Sequence, residues 1–135
     1  MVITTRYLED DLFEASNETG ASSRIDMRNK EVKKNLSPVE GLLGSLGTCI
    51  GGDVIDILRK RRKTVIGLTL VTNGTRRDHH PRAITAIRCK VVLESPDATV
   101  EELAKAAQLV VDKYCSVASS LKPSVNLSCE IIRPA

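Results

Sequence analysis

A glycine-rich apolar segment with one cysteine occupies residues 37–63, SPVEGLLGSLGTCIGGDVIDILRKRRK. Its first residues predict a helix start, because Ser37 is a good N-cap, Pro38 fits the first helical position and Glu40 completes an S-x-x-E capping box. Apolar residues then recur at helical spacing through the rest of the segment. The sequence therefore predicts a long helix that ends at about Arg61, where a basic run complements the negative end of the helix dipole.

Small residues recur every three or four positions along this helix, at Gly41, Gly44, Gly47 and Gly51, with Gly52 beside the last. Each glycine costs a helix about 1 kcal/mol relative to alanine, so several together need a compensating reason. A stripe of small residues lets another backbone approach closely. We therefore predict a tight helix–helix crossing, within the chain or across a dimer interface, and a central position for this helix.

The remaining segments predict an α+β fold in the order β-β-β-α-β-β-α-β, with antiparallel sheet packed on two helices. At 135 residues the chain is expected to form a single domain, residues 1–135. The second helix starts at a capping box formed by Thr99 and Glu102. The predicted strands are residues 2–8, 11–16, 22–27, 64–74, 83–95 and 124–132.

Composition narrows the classes of function. The chain has one Phe, two Tyr and no Trp, so it offers no aromatic platform for stacking bases, and we expect no nucleic-acid partner. The basic run at residues 59–63 is typical of a solvated helix end. No apolar segment at the N-terminus resembles a signal peptide and no apolar run is long enough for a membrane span, so we expect no membrane partner and a cytoplasmic location.

The four cysteines fall into two classes. Cys89 and Cys129 alternate with aliphatic residues on predicted strands, which is typical of small buried hydrophobes. Cys49 and Cys115 lie on, or at the end of, helices that must pack centrally, and the pattern leaves open whether they are inert buried thiols or a reactive pair. There is no CxxC and no clustered Cys/His spacing, so we expect no metal and no cofactor.

Two cysteine motifs and the segment between them carry a family resemblance. The segment at residues 37–63 is followed by GTRRDHHPRAITAIRCKVVLE and then by TVEELAKAAQLVVDKYCSVASSL. Together they resemble the OsmC/Ohr family, and DVIDILRK with the YCSV ending is most similar to its YhfA-type branch. The resemblance covers nearly the whole chain from Ser37 onward.

The resemblance implies an OsmC-like fold, in which antiparallel sheets wrap around two central helices of an intertwined homodimer with active sites at the subunit interface. It implies a thiol peroxidase that reduces organic hydroperoxides. Cys49 would be the peroxidatic nucleophile and Cys115 the resolving cysteine, and the resulting disulfide would be reduced by a lipoyl-type or other small dithiol.

The chain departs from the Ohr pattern at two places. Ohr proteins carry an arginine in the first strand turn, where this chain has LEDD, and a glutamate ten residues before the cysteine, where it has Val39. Glu40 is one position away and either orients the thiolate or serves only in the capping box. The alternative function is therefore an OsmC-like protein without efficient peroxidase activity, which binds a small apolar or thiol-reactive ligand at the dimer interface. The candidates for a substitute cation are Arg24, Arg28, Arg76, Arg77 and Arg82.

Overall fold

The computed structural model describes residues 1–135 and divides the chain into two units, Met1–Leu42 and Leu43–Ala135. The elements follow the predicted order, with a π-helical turn and a short helix added after the second long helix. Their bounds are β1 Thr4–Glu9, β2 Leu12–Ser16, β3 Ser22–Asp26, α1 Pro38–Lys60, β4 Gly67–Arg76, β5 Ile84–Glu94, α2 Val100–Leu109, the π-helical turn Val110–Tyr114, α3 Ser116–Ser119 and β6 Val125–Ile132.

Three antiparallel strands form the sheet of the first unit, in the order β1-β2-β3. The turn between β1 and β2 contains Asp10 and Asp11, whose φ angles of 48° and 59° lie in the left-handed region that Asp tolerates better than most residues. The next turn is closed by Asn17, whose side chain accepts hydrogen bonds from the backbone N–H groups of Thr19 (3.0 Å) and Ala21 (2.9 Å).

The second unit contains a three-stranded sheet in the order β4-β5-β6. The β4–β5 pair is antiparallel, as predicted, but β5 and β6 are parallel, with Ile87 opposite Val125 and Leu93 opposite Ile131. The prediction of antiparallel pairing is therefore corrected at β6. The reason is the long helical connection after β5, which carries the chain back to the end of the sheet where β5 begins, as a parallel pair requires.

The core of the second unit is formed by α1, α2 and the inward face of β5. The α1 stripe of Leu46, Ile50, Val54 and Leu58 is fully buried, and burial of each such side chain contributes about 1.5–3 kcal/mol. The predicted inward face of β5 is confirmed, because its four residues are all fully buried. These residues are Ile87, Cys89, Val91 and Leu93.

Two glycines of α1 face the sheet. A Cβ added at Gly47 would lie 3.1 Å from Thr72 Oγ1, and one added at Gly51 would lie 3.0 Å from Leu70 Cδ1. At these two positions the predicted helix–helix crossing is wrong, because the missing side chains let α1 approach β4 instead. Gly52 differs, since an added Cβ there meets no heavy atom within 4 Å.

By length and composition alone, α1 could cross a membrane: it has 23 residues and its most apolar window has a mean hydropathy of 1.4. Core helices of other proteins meet the same criterion, and the Leu46–Leu58 stripe of α1 is packed in the core of the second unit. Only 28% of that window is buried, so a large part of an apolar helix surface is exposed in the single chain.

Candidate thiol site

The structure brings together two of the predicted site residues, Cys49 and Cys115. Cys49 is half-buried on α1, and Cys115 lies between the π-helical turn and α3 with 2% of its surface exposed. The Cys49 side chain interacts with Cys115, because it raises the pKa of the Cys115 thiol. Both cysteines are free and pack in the core of the second unit.

The π-helical turn at Val110–Tyr114 determines where Cys115 lies. The Cys115 backbone N–H donates to the carbonyl oxygen of Val110 at 2.8 Å, five residues back instead of the four of an α-helix. Cys115 is then the N-cap of α3, and its Sγ accepts a hydrogen bond from the Ala118 N–H at 3.3 Å. The sequence predicted Cys115 at a helix end but did not reveal this wider turn.

The two thiols differ in their electrostatic environment. Burial raises the pKa of the Cys115 thiol, the N–H of Ala118 opposes this, and the hydrogen bond and charge of Cys49 raise the pKa of Cys115 further. A group that raises the pKa of its neighbour favours the neighbour's protonated form. The environment of Cys115 therefore favours its protonated form, and Cys49 is the more exposed of the two.

The third predicted site residue, Glu40, lies in the first turn of α1. It is exposed in the first unit, and its Oε1 accepts a hydrogen bond from the Ser37 N–H at 2.9 Å, while the Ser37 Oγ accepts from the Glu40 N–H at 3.3 Å. These bonds hold the pKa of the Glu40 carboxyl below its usual range. The capping-box interpretation of Glu40 is thus confirmed.

Four of the five candidate arginines hydrogen-bond elsewhere. The Arg28 guanidinium contacts the buried carboxylate of Asp26, with Nη2 at 2.6 Å from Oδ2 and Nε at 2.9 Å from Oδ1. In the loop between β4 and β5, Arg76, Arg77 and Arg82 donate to backbone carbonyls of the loop itself. Arg24 is exposed on β3. None of the groups that shift the pKa of Cys115 is a cation.

Cys89 and Cys129 form a second neighbouring pair with a different geometry. On β5 and β6, Cys89 is opposite Leu127 and Cys129 is opposite Val91, so the two cysteines are two residues out of register. Strand spacing and rise then separate their Cα atoms by about 8 Å, beyond the roughly 7 Å that a disulfide can bridge. Burial raises the pKa of both thiols, as expected for inert core cysteines.

His79 and His80 lie at the exposed tip of the β4–β5 loop. His79 Nδ1 is 3.1 Å from Asp78 Oδ1, and both side chains of this pair are largely exposed. No group of three or more His, Cys, Asp or Glu side chains in the chain is arranged to hold a metal ion.

Comparison with known proteins places this geometry in context. The family model described as "OsmC-like protein" matches residues 31–130. Protein YhfA of Escherichia coli K12 is 32% identical over 111 residues, which span 82% of this chain and 83% of YhfA. An OsmC-like protein from Mycoplasma pneumoniae has a similar structure, with a TM-score of 0.78 and 20% identity over 96% of each chain. The organic hydroperoxide resistance protein OhrB of Bacillus subtilis shares the fold, with a TM-score of 0.62 and 12% identity over 97% of this chain and 96% of OhrB.

Proposed function

Because the chain belongs to the OsmC-like protein family, we propose that it is a cysteine-based peroxidase that reduces organic hydroperoxides. The observation that carries the proposal is the interaction between a half-buried Cys49 and a buried Cys115 whose pKa it raises. The name of the fold neighbour OhrB, an organic hydroperoxide resistance protein, supports the choice of substrate class.

Cys49 is the nucleophile in this mechanism. Its thiolate attacks one oxygen of the peroxide O–O bond, the other oxygen leaves as an alkoxide that takes a proton, and Cys49 becomes a sulfenic acid. The greater exposure of Cys49 supports this role, because the peroxide must reach the sulfur. The interaction of the two side chains supports it too, because Cys49 raises the pKa of the Cys115 thiol and so favours the protonated, unreactive form of Cys115.

Cys115 acts in the second step. Once Cys49 is a neutral sulfenic acid, its negative charge no longer raises the pKa of Cys115, while the N–H groups of Ala118 and Val117 still stabilise a Cys115 thiolate. That thiolate attacks the Cys49 sulfur and a disulfide forms as the S–O bond of the sulfenic acid breaks, and the hydroxide that leaves becomes water with the proton that Cys115 gave up. An external thiol reductant, of the dithiol type that the family resemblance implies, restores both thiols in exchange for its own disulfide.

The proposal includes a homodimer located in the cytoplasm. Thr48, Gly52 and Ile55 lie on the side of α1 away from its buried stripe, and an added Cβ at Gly52 meets nothing within 4 Å. β4 pairs only with β5, and Val71 on it is 57% exposed. The exposed face of α1 and the unpaired edge of β4, a strand of ten residues, favour a partner chain that covers them.

Thiol counting tests the proposed function. The reduced protein should lose two free thiols after treatment with cumene hydroperoxide. Cys49→Ser should abolish this loss, and Cys115→Ser should stop at a Cys49 sulfenic acid that a dimedone probe labels. The matched controls Cys89→Ser and Cys129→Ser should behave as wild type. Thiols that survive in the wild type, or a Cys49→Ser variant that reacts at the wild-type rate, would contradict the proposal.

A second candidate function is binding of a small apolar or thiol-reactive ligand without efficient peroxide reduction. It is favoured by two observations: no cation is among the groups that shift the pKa of Cys115, and Glu40 hydrogen-bonds in a helix cap. In that case an organic hydroperoxide would consume thiols no faster than it consumes free cysteine, and an electrophile such as N-ethylmaleimide would label Cys49 without a disulfide being formed.

A further inference from the structure

A cleft with a volume of about 450 Å³ lies in the second unit, next to the elements that carry the thiol pair. Its apolar wall is formed by Ile57 of α1 and Leu109 of α2, and the phenol ring of Tyr114 lies at its side. Tyr114 directly precedes Cys115, and the cleft includes Asp53, one helical turn after Cys49 on the same side of α1. The volume is within the usual range for small-molecule sites.

Four charged side chains line this cleft without a partner in the chain. They are Asp53, Asp56, Lys60 and Arg61, and none of them forms an ion pair or a side-chain hydrogen bond. Lys63, which follows them in the chain, does form an ion pair, with its Nζ 3.1 Å from Glu102 Oε2. Two carboxylates and two cations that face one cleft unpaired are suited to a ligand that carries both charges.

The charges are also ordered along the helix. Asp53 and Asp56 are nearer to Cys49, and Lys60 and Arg61 are about 10 Å further along α1 than Asp53, from the helical rise of 1.5 Å per residue. A ligand with an ammonium group near the thiol pair and a carboxylate group at its far end would match this order. The apolar wall would contact the frame between the two groups.

We propose that this cleft binds a low-molecular-weight thiol of the amino-acid or short-peptide type, with an ammonium group on Asp53 and Asp56 and a carboxylate on Lys60 and Arg61. Because Asp53 is one helical turn from Cys49 and Tyr114 directly precedes Cys115, we assign this thiol as the reductant of their disulfide, which rests on the function proposed above. Two equivalents of the thiol then take the place of one dithiol.

The chemistry of the reduction is ordinary thiol–disulfide exchange. The thiolate of the first ligand molecule attacks one sulfur of the Cys49–Cys115 disulfide, forms a mixed disulfide and releases the other cysteine as a thiolate. The thiolate of a second molecule attacks the ligand's sulfur and releases the second cysteine. The two protons of the ligand thiols end on Cys49 and Cys115, and the ligand leaves as its own disulfide.

Binding is tested first without any redox step. Calorimetry with S-methylglutathione, which cannot reduce a disulfide, should detect binding to the reduced protein. Asp53→Asn and Lys60→Gln should each weaken it by roughly 3- to 10-fold, because each removes one charged contact at a partly exposed site. Glu101→Gln and Lys105→Gln, exposed charges outside the cleft, should leave the affinity unchanged.

Reduction is tested with two reductants. The rate at which glutathione reduces the preformed Cys49–Cys115 disulfide should fall roughly 3- to 10-fold in Asp53→Asn and Lys60→Gln, whereas the rate with uncharged dithiothreitol should not change. Equal glutathione rates in all variants, or no binding of S-methylglutathione at millimolar concentration, would overturn the inference. A disulfide that never forms would instead contradict the proposed function, and the calorimetry would still decide whether the cleft binds this class of ligand.

Discussion

The side chain of Cys49 interacts with that of Cys115 and raises the pKa of the Cys115 thiol. The contact joins a residue in the middle of α1 to one that is 66 positions later in the chain, at the end of a π-helical turn. It makes the two cysteines unequal before any substrate is bound, because Cys49 favours the protonated form of Cys115.

Removal of Cys49 should therefore lower the pKa of Cys115. In Cys49→Ala both the hydrogen bond and the charge that raise this pKa are lost, while burial still raises it. The pH dependence of iodoacetamide alkylation at Cys115, followed by mass spectrometry, measures the shift. Cys89→Ala, which removes a thiol from β5, should leave the Cys115 profile unchanged. A profile in Cys49→Ala that moves to higher pH would contradict the contact.

Shortening the π-helical turn should separate the thiols. Deletion of Lys113, an exposed residue, would convert the turn to ordinary α-helical spacing and rotate Cys115 away from Cys49. We expect the rate of disulfide formation to fall by roughly 100-fold, as misplacement of reacting atoms by about 1 Å can cost this much. Lys113→Ala should retain the wild-type rate, and circular dichroism should confirm that both variants are folded. A deletion variant as fast as wild type would contradict this role of the turn.

The buried Asp26 should make the first unit sensitive to acid. The Arg28 guanidinium, together with the backbone N–H groups of Lys34 and Arg28, holds the pKa of the Asp26 carboxyl well below its usual range, against the effect of burial. Folding lowers the pKa of the Asp26 carboxyl. The charged carboxylate therefore stabilises the folded first unit at pH values above the unfolded pKa of about 3.9, and this stabilisation is lost as the pH falls from there towards the lower pKa of the folded state.

Urea denaturation at neutral pH, and again at a pH below the ordinary pKa of Asp, measures how the free energy of unfolding changes on acidification. Asp26→Asn should be less stable than wild type at neutral pH and should lose less stability on acidification. Asp10→Asn, in the exposed β1–β2 turn, is the matched control and should follow wild type. An Asp26→Asn variant as stable as wild type at neutral pH would show that the ion pair contributes nothing.

A bulky side chain at Gly52 should dissociate the proposed homodimer without damage to the protomer. An added side chain at this position meets nothing within 4 Å, and replacing a helical glycine with leucine favours the helix by somewhat less than about 1 kcal/mol. Light scattering should therefore find wild type as a dimer and Gly52→Leu as a folded monomer. A monomeric wild type, or a dimeric Gly52→Leu variant, would show that this face of α1 is not a dimer interface.

Local sequence signals predicted most of the fold. The capping boxes at Ser37–Glu40 and Thr99–Glu102 are present, because they depend only on residues three positions apart. The inward face of β5 follows from strict alternation. The parallel direction of β6 could not be read from this alternation, because a strand's side-chain period is the same in parallel and antiparallel sheets.

The thiol site was predicted in part. The contact of Cys49 with Cys115 was expected only from a family resemblance, since periodicity contains no information on which distant side chains meet. The π-helical turn was missed because its extra residue disturbs the helical pattern by a single position near the helix end. The glycine stripe correctly indicated close approach, but Gly47 and Gly51 approach a sheet, and a stripe of small residues does not specify its partner.

Peptide mapping by mass spectrometry, after one equivalent of cumene hydroperoxide is added to the reduced wild-type protein, tests the roles of Cys49 and Cys115 most directly. We expect one new disulfide, between the peptides that contain Cys49 and Cys115, with Cys89 and Cys129 remaining as thiols. A disulfide that involves Cys89 or Cys129, or four intact thiols after the peroxide has been added, would contradict these roles.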